Sequence, residues 1–451
     1  MIRSIVQVFS KTPIRTFVTM YAGVTILGAI LLYLPISQPN GNPLSFIDAL
    51  FISVSGVSTT GLSTVPIATR LNPVGQVILL FLIQFGGIGL IMLIGFFWLT
   101  TGKNITLSER KLIATDQNQI RTSQVVKLIR DVLWILFVIE AVIFVIMGAY
   151  LYLNEYFGLG ESFYQAFFLT ISLTANAGFD ITGDSLFRYA NDIPFQLMAM
   201  FLMFVGAVGF WPLVEVKDFI QAKWRRKDFK FSLFAKILVT MHVALWLFGA
   251  IVIYGIEAGQ YFVDYSTLDA IVTSLFMSLT TRNAGFSTMD VAAFSPATHM
   301  LMTTLMFIGS SPNSAGGGIR TSTVLLVIGA LIAFSQNRKQ VIVQKRAIKP
   351  ETVYKALLVV IVATSLIITS SFMMMLFEPF GFTQVIFEVT SAFGTTGLSL
   401  GITSELTVYS KIILIIVMFI GRIGIVALLL IFATKDDTNR IRYPEIDMIV
   451  G

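Results

Sequence analysis

Long and short apolar runs alternate along this chain, and the alternation repeats four times. The long runs fall near residues 16–36 and 74–100, 132–153 and 194–215, 233–255 and 297–334, and 353–377 and 408–433. About 20 apolar residues suffice to cross a bilayer core, so the pattern predicts eight spans. Inside each pair sits a shorter apolar stretch, at 46–58, 163–174, 268–281 and 382–393. These are too brief to cross, and they predict short helices that enter the membrane and turn back. The first long run has no convincing small-residue cleavage site after it and is read as a permanent span.

Each short stretch leads into a glycine-centred motif. The four are Ser58-Thr59-Thr60-Gly61-Leu62-Ser63, Asn176-Ala177-Gly178-Phe179, Asn283-Ala284-Gly285-Phe286-Ser287 and Thr395-Thr396-Gly397-Leu398-Ser399, with glycines 117, 107 and 112 positions apart. The second long run of each pair carries its own echo. These are Phe85-Gly86-Gly87-Ile88-Gly89, Phe204-Val205-Gly206-Ala207-Val208-Gly209, Phe307-Ile308-Gly309 and Phe419-Ile420-Gly421-Arg422-Ile423-Gly424. Two independent echoes at a common period identify internal repeats. The units are 1–109, 110–228, 229–348 and 349–434, followed by a tail at 435–451. Loops one and four resemble each other, as do loops two and three.

Composition narrows the class. The chain is 55% hydrophobic and 12% charged, with a mean hydropathy of +0.82, whereas a soluble domain carries about 25% charged residues. It is an all-α integral membrane protein on this reading. There are no cysteines and two distant histidines, His242 and His299, so thiol chemistry and a zinc site are excluded. No nucleophile–base pair or phosphate-binding loop stands out, so no catalytic residues are assigned and an enzyme is not expected. The formal net charge of +6 reports topology here, not nucleic acid. Of the 31 basic residues, 25 fall in the two ends and the three inter-unit linkers, as helices or loops. Positive residues favour the cytoplasmic side, which predicts cytoplasmic termini and short helices entering from outside. Basic inner loops also suit anionic lipid.

Irregular backbone at membrane depth is tolerated where it lines a water-filled cavity. Four such segments around one axis can present backbone carbonyls that replace the hydration shell of a cation. The candidate ion-binding residues are Thr59, Thr60 and Gly61, Asn176, Ala177 and Gly178, Asn283, Ala284 and Gly285, and Thr395, Thr396 and Gly397. Asp48 and Asp269 begin short helices, where carboxylates suit the helix N-terminus.

These motifs, with Arg282-Asn283-Ala284-Gly285-Phe286 and Phe393-Gly394-Thr395-Thr396-Gly397-Leu398, resemble the membrane subunits of the Trk/Ktr/HKT superfamily of potassium transporters. The likeness spans essentially the whole chain. The first unit starts near the N-terminus, which favours the bacterial Ktr type. The resemblance implies four M1–P-loop–M2 repeats, with eight transmembrane helices and four re-entrant pore helices around a pseudo-fourfold, potassium-channel-like pore. It implies potassium uptake by channel-like conduction, with a sodium-coupled potassium or sodium transporter as the alternative. It also implies a homodimer, a cytoplasmic ring of nucleotide-binding regulatory subunits, and no bound cofactor. Potassium is substrate on this reading, and sodium an activator or co-ion at most. Some sodium-preferring relatives in plants carry serine where this chain has Gly61.

The third unit interrupts its second run with Ser310, Ser311, Pro312, Gly316, Gly317, Gly318 and Arg320, within 309–323. Proline and glycine break helices; the resemblance implies an intramembrane gating loop here, with a structural kink that accommodates crossing helices as the alternative. Only the fourth unit places a charge, Arg422, beside the second-run glycine, and the third unit alone is expected to break its inner helix. Arg422 is read as part of a gate, with a purely structural contact as the alternative. Arg282 and Glu388 either pair behind the filter or bind local backbone. Glu140 lies mid-span, as an interhelical hydrogen-bonding group or a coupling-ion carboxylate.

Overall fold

The computed structural model describes residues 13–39, 43–89, 92, 93, 95, 125–431 and 446. Unit one supplies α1 (Pro13–Tyr33), α2 (Phe46–Ser58) and α3 (Pro73–Ile88). Unit two supplies α4 (Val125–Leu153), α5 (Leu159–Thr174), α6 (Ile193–Ala207) and α7 (Phe210–Trp224). Unit three supplies α8 (Leu233–Glu257), α9 (Thr267–Thr280), α10 (Pro296–Ile308) and α11 (Thr321–Ser335). A two-stranded hairpin, β1 (Ile342–Val343) and β2 (Arg346–Ala347), leads into unit four. Unit four supplies α12 (Pro350–Met375), α13 (Phe382–Gly394), α14 (Val408–Ile423) and α15 (Ile425–Ile431). The unit boundaries after 228 and 348 fall between helices. The boundary at 109, all of 101–124 and nearly all of the tail lie outside the described residues.

The leading helix of each unit is long and apolar enough to cross a membrane: α1, α4, α8 and α12. At 1.5 Å per residue they extend about 30–45 Å, against a hydrocarbon core of about 30 Å. Their outer faces carry exposed apolar side chains such as Ile26, Trp134, Ile251 and Ile368, which a lipid surround accommodates and water does not. The short helices α2, α5, α9 and α13 are about 20–24 Å long by the same rise. Their starts are locally encoded. Ser45 and Ser266 accept from the backbone N–H groups of Asp48 and Asp269, and both carboxylates lie in the first turn as expected.

The second runs depart from the expected pattern. All four break, not the third alone. The break positions are Gly89, Gly209, Gly309 and Gly424, with φ between +62° and +100°, a backbone region that favours glycine. In unit two the break turns α7 by 105° from α6. Counted from the N-caps Asn72, Asp192, Ser295 and Thr407, the glycines Gly86, Gly206, Gly309 and Gly421 are each fourteen positions on. The repeat register therefore holds, and what differs in unit three is that its helix stops about one turn early. Residues 309–320 then run without helix before α11.

The units pack in a ring. Each trailing helix lies against the short helix of the next unit: α3 on α5, α6 on α9, α10 on α13 and α14 on α2. Apolar clusters fill the junctions. Leu79 and Ile83 pack with Phe168, Met203 with Phe276, and Phe51 with Val417. At one end of the bundle, Lys127 pairs with Asp218 at 2.8 Å and Lys217 with Asp131 at 2.7 Å. Two of the basic segments expected inside are thereby held together. At the other end, Lys411 of unit four pairs with Asp48 of unit one at 2.8 Å.

Candidate functional site

Each short helix ends in a reversal of backbone hand. Thr59, Asn176, Asn283 and Thr395 have positive φ, and so do Gly61, Gly178, Gly285 and Gly397 two residues later. Leaving a helix through the left-handed region at alternate residues lets successive carbonyls face one side. The N–H groups turn back into the protein. Thr60, Ala177 and Thr396 donate to the carbonyls of Ser55, Ser172 and Ser391, each at 2.8 Å, and Ala284 donates to Thr280 at 2.9 Å.

Two kinds of hydroxyl tie hold the loops, and they sort the units as the motifs do. In units one and four, Ser55 and Ser391 accept from the N–H of Gly61 and Gly397 at 3.0 Å. In units two and three, Ser172 and Thr280 donate to the carbonyls of Phe179 and Phe286 at 2.7 and 2.6 Å. These four residues were not among the expected site residues. Their signal is a hydroxyl six residues before the glycine in units one, two and four and five before it in unit three.

The four glycines meet. A Cβ on Gly61 would sit 2.6 Å from the Ala177 carbonyl oxygen, and one on Gly178 would sit 3.2 Å from that of Ala284. One on Gly285 would strike the Thr396 carbonyl, and one on Gly397 the Thr60 carbonyl. Each glycine thus faces the carbonyl of its neighbour, in one rotational sense, and the ring closes. All twelve candidate ion-binding residues belong to this ring or its immediate base.

The 309–320 segment lies against that base and touches every unit. Thr59 Oγ1 donates to the Ala315 carbonyl at 2.9 Å. Ser311 and Ala315 donate to the Ala207 and Gly206 carbonyls at 3.2 and 3.1 Å. Gly317 N–H donates to Thr395 Oγ1 at 2.7 Å, and Asn283 donates to the Gly394 carbonyl beside it. The glycines are required by space, since a Cβ on Gly316 would lie 2.5 Å from Asn283 and one on Gly317 2.7 Å from Thr395.

Three arginines fasten the segment. Arg422 donates to Thr59 Oγ1 at 3.1 Å and to the Ala315 and Gly86 carbonyls. Arg320 donates to Ser310 Oγ at 3.2 Å and to the Gly316 carbonyl. Arg282 is fully buried and donates to the carbonyl of Gly309, where α10 ends. It does not pair with Glu388. That carboxylate instead accepts from the Thr403 side chain, so the two groups are held separately, Arg282 by a distant backbone carbonyl and Glu388 by a hydroxyl. Glu140 accepts from Gln84 Nε2 at 3.2 Å on the wall of an apolar groove of about 410 Å³. Its bond links α4 to α3.

Outside the ring, burial acts to raise the carboxyl of Asp48. The Lys411 ammonium and the Ser45 and Thr64 hydroxyls outweigh that and hold it below its ordinary value. The pair fastens unit four to unit one at that end of the bundle.

The TrkH family, described as cation transport protein, matches residues 8–441. The Ktr system potassium uptake protein D of Bacillus subtilis is 42% identical over 98% of this chain and 97% of its own length. The Ktr system potassium uptake protein B of the same organism is 32% identical over 98% of this chain and 97% of its own length. The Potassium/sodium uptake protein NtpJ of Enterococcus hirae is 30% identical over 98% of this chain and 97% of its own length. Among solved structures, the potassium transporter TrkH from Vibrio parahaemolyticus superposes with a TM-score of 0.70 at 19% identity, over 92% of this chain and 83% of that one. Four helices able to span among the described residues, a ring of repeated loops and a family match over nearly the full length lead to one statement: this multi-pass membrane chain belongs to the TrkH family of cation transport proteins.

Proposed function

We propose that the chain takes up potassium across the cell membrane through one axial path, with the four-glycine ring as its selectivity filter. The observation that carries this is the closed ring, in which the Thr60, Ala177, Ala284 and Thr396 carbonyls each overlie a neighbouring glycine. Carbonyl oxygens around an axis replace the water shell of a dehydrated cation. The C-terminal ends of four short helices add partial negative charge beneath it. Each broken trailing run counts as one crossing, which gives eight crossings and four re-entrant helices. Termini and inter-unit linkers lie on the cytoplasmic side by the positive-inside bias.

The 309–320 segment is the barrier. It fills the base of the ring, and Arg320 and Arg422 oppose a cation there by their charge. Uptake requires the segment to shift. The relatives named as Ktr system proteins support a second component working with this chain, and on this proposal it is regulatory and acts from the cytoplasm on a homodimer. The relative named for both potassium and sodium keeps a sodium-coupled route as the second reading.

Growth rescue of a potassium-uptake-deficient bacterium at low potassium tests the proposal, with and without added sodium. Rescue independent of sodium is expected. Rescue only with sodium transfers the reading to the coupled route, and no rescue by well-expressed protein removes it.

A further inference from the structure

Against the 309–320 segment lies a small polar cavity of about 30 Å³ bounded by units one, three and four. Arg320 and Arg422 both line it, with Asn313, Ser314, Tyr21 and Gly89. No carboxylate among the described residues forms an ion pair with either arginine. Their bonds all go to neutral carbonyls and hydroxyls. A guanidinium has five N–H donors. Arg320 uses Nη1 alone, and Arg422 uses Nη1 and Nη2, so donors remain on both.

Two like charges facing one partly buried space repel each other, and each lacks the counter-charge that burial calls for. An anion between them would turn repulsion into attraction and accept the spare N–H groups. Size limits which anion. A site needs about 10–15 Å³ to hold one water, so 30 Å³ takes one or two atoms. A monoatomic anion fits that space as it stands, whereas phosphate, sulfate, a carboxylate or a lipid headgroup would extend beyond it toward its open side.

We infer that this cavity binds a single monoatomic anion of the chloride class, and that the anion holds the 309–320 segment in place. Asn313, Ser314 and Arg320 belong to that segment, so its displacement dismantles the site. A ligand that binds one of two states favours that state. Chloride reaching this cavity is therefore an inhibitor of uptake, a consequence that rests on the segment being the barrier.

The test begins with crystals of the full chain in bromide. A single anomalous peak is expected within hydrogen-bonding distance of both guanidinium groups, absent in Arg320→Gln. No peak there at saturating bromide overturns the site. In proteoliposomes, uptake of rubidium is then compared with chloride or gluconate on both faces. Chloride at a concentration equal to its Kd should double the stability ratio of the shut state, about a twofold loss of uptake when the shut state dominates. Sulfate should act as gluconate does, and inhibition by sulfate equal to that by chloride contradicts the size argument. Bound bromide with chloride-insensitive uptake overturns the hold on the segment and leaves the site. Shortening the segment by Gly316–Gly318 separates the two ideas, since unchanged uptake in that variant removes the barrier reading itself.

Discussion

Replacing Arg422 by glutamine removes a charged donor from beneath the ring. Of its three bonds, those to Thr59 and Gly86 join groups outside the 309–320 segment, and only the bond to the Ala315 carbonyl depends on the segment being in place. A hydrogen bond to a charged group contributes about 1.5–3 kcal/mol. Arg422 is half-buried and Ala315 keeps its bond from Thr59, so the lower end applies. About 1.5 kcal/mol shifts the segment's equilibrium roughly tenfold toward displacement. Loss of a positive charge near the path acts in the same direction. Rubidium uptake into proteoliposomes, with no second component added, should therefore rise at least about tenfold. Arg422→Lys keeps the charge and loses the planar fork, so it should fall between wild type and Arg422→Gln. Unchanged or reduced uptake in a folded Arg422→Gln protein refutes the barrier reasoning.

Other outcomes follow from the same contacts. In Gly61→Ser the new Cβ meets the Ala177 carbonyl and the backbone of Gly178 at a φ of +92°. A cost of about 1–2 kcal/mol in discrimination lowers the potassium-to-sodium uptake ratio by about 5- to 30-fold. Ser391→Ala frees the N–H of Gly397, and about 1 kcal/mol of lost filter support should lower that ratio several-fold with little change in expression. The Asp48 carboxyl titrates below its ordinary value in the folded chain. Its pairing with Lys411 therefore stabilises the protein above the unfolded carboxyl's pKa and stops doing so as pH falls through the lowered one. Thermal unfolding in detergent should show that acid loss in wild type and a smaller one in Asp48→Asn.

Much of this molecule is readable in its sequence because the repeat is written twice per unit. The short helices start at Phe46 and Phe382 as expected and within four residues of expectation in units two and three. The glycines of the ring carry the period themselves. The three further breaks at Gly89, Gly209 and Gly424 are not readable, because one glycine in an apolar run looks the same whether it packs a helix or ends one. The early end of α10 is signalled by Pro312 and the triple glycine, but not the destination of the segment that follows. That depends on carbonyl acceptors at Gly206 and Ala207 and hydroxyls at Thr59 and Thr395, which come from three other units. The partner of Arg282 was equally hidden, since a backbone carbonyl carries no sequence label. Ser55, Ser172, Thr280 and Ser391 were visible in position but not in role, as a hydroxyl inside a short helix bonds its own backbone as readily as a neighbouring loop.

The central claim is that the four loops form one cation site on a common axis. Crystals of the full chain in thallium or rubidium, as heavy substitutes for potassium, test it most directly. An anomalous peak on the axis of the ring, bounded by the carbonyls of Thr60, Ala177, Ala284 and Thr396, is the predicted result. A well-ordered ring with no peak inside it, and bound ion elsewhere in the chain, would contradict it.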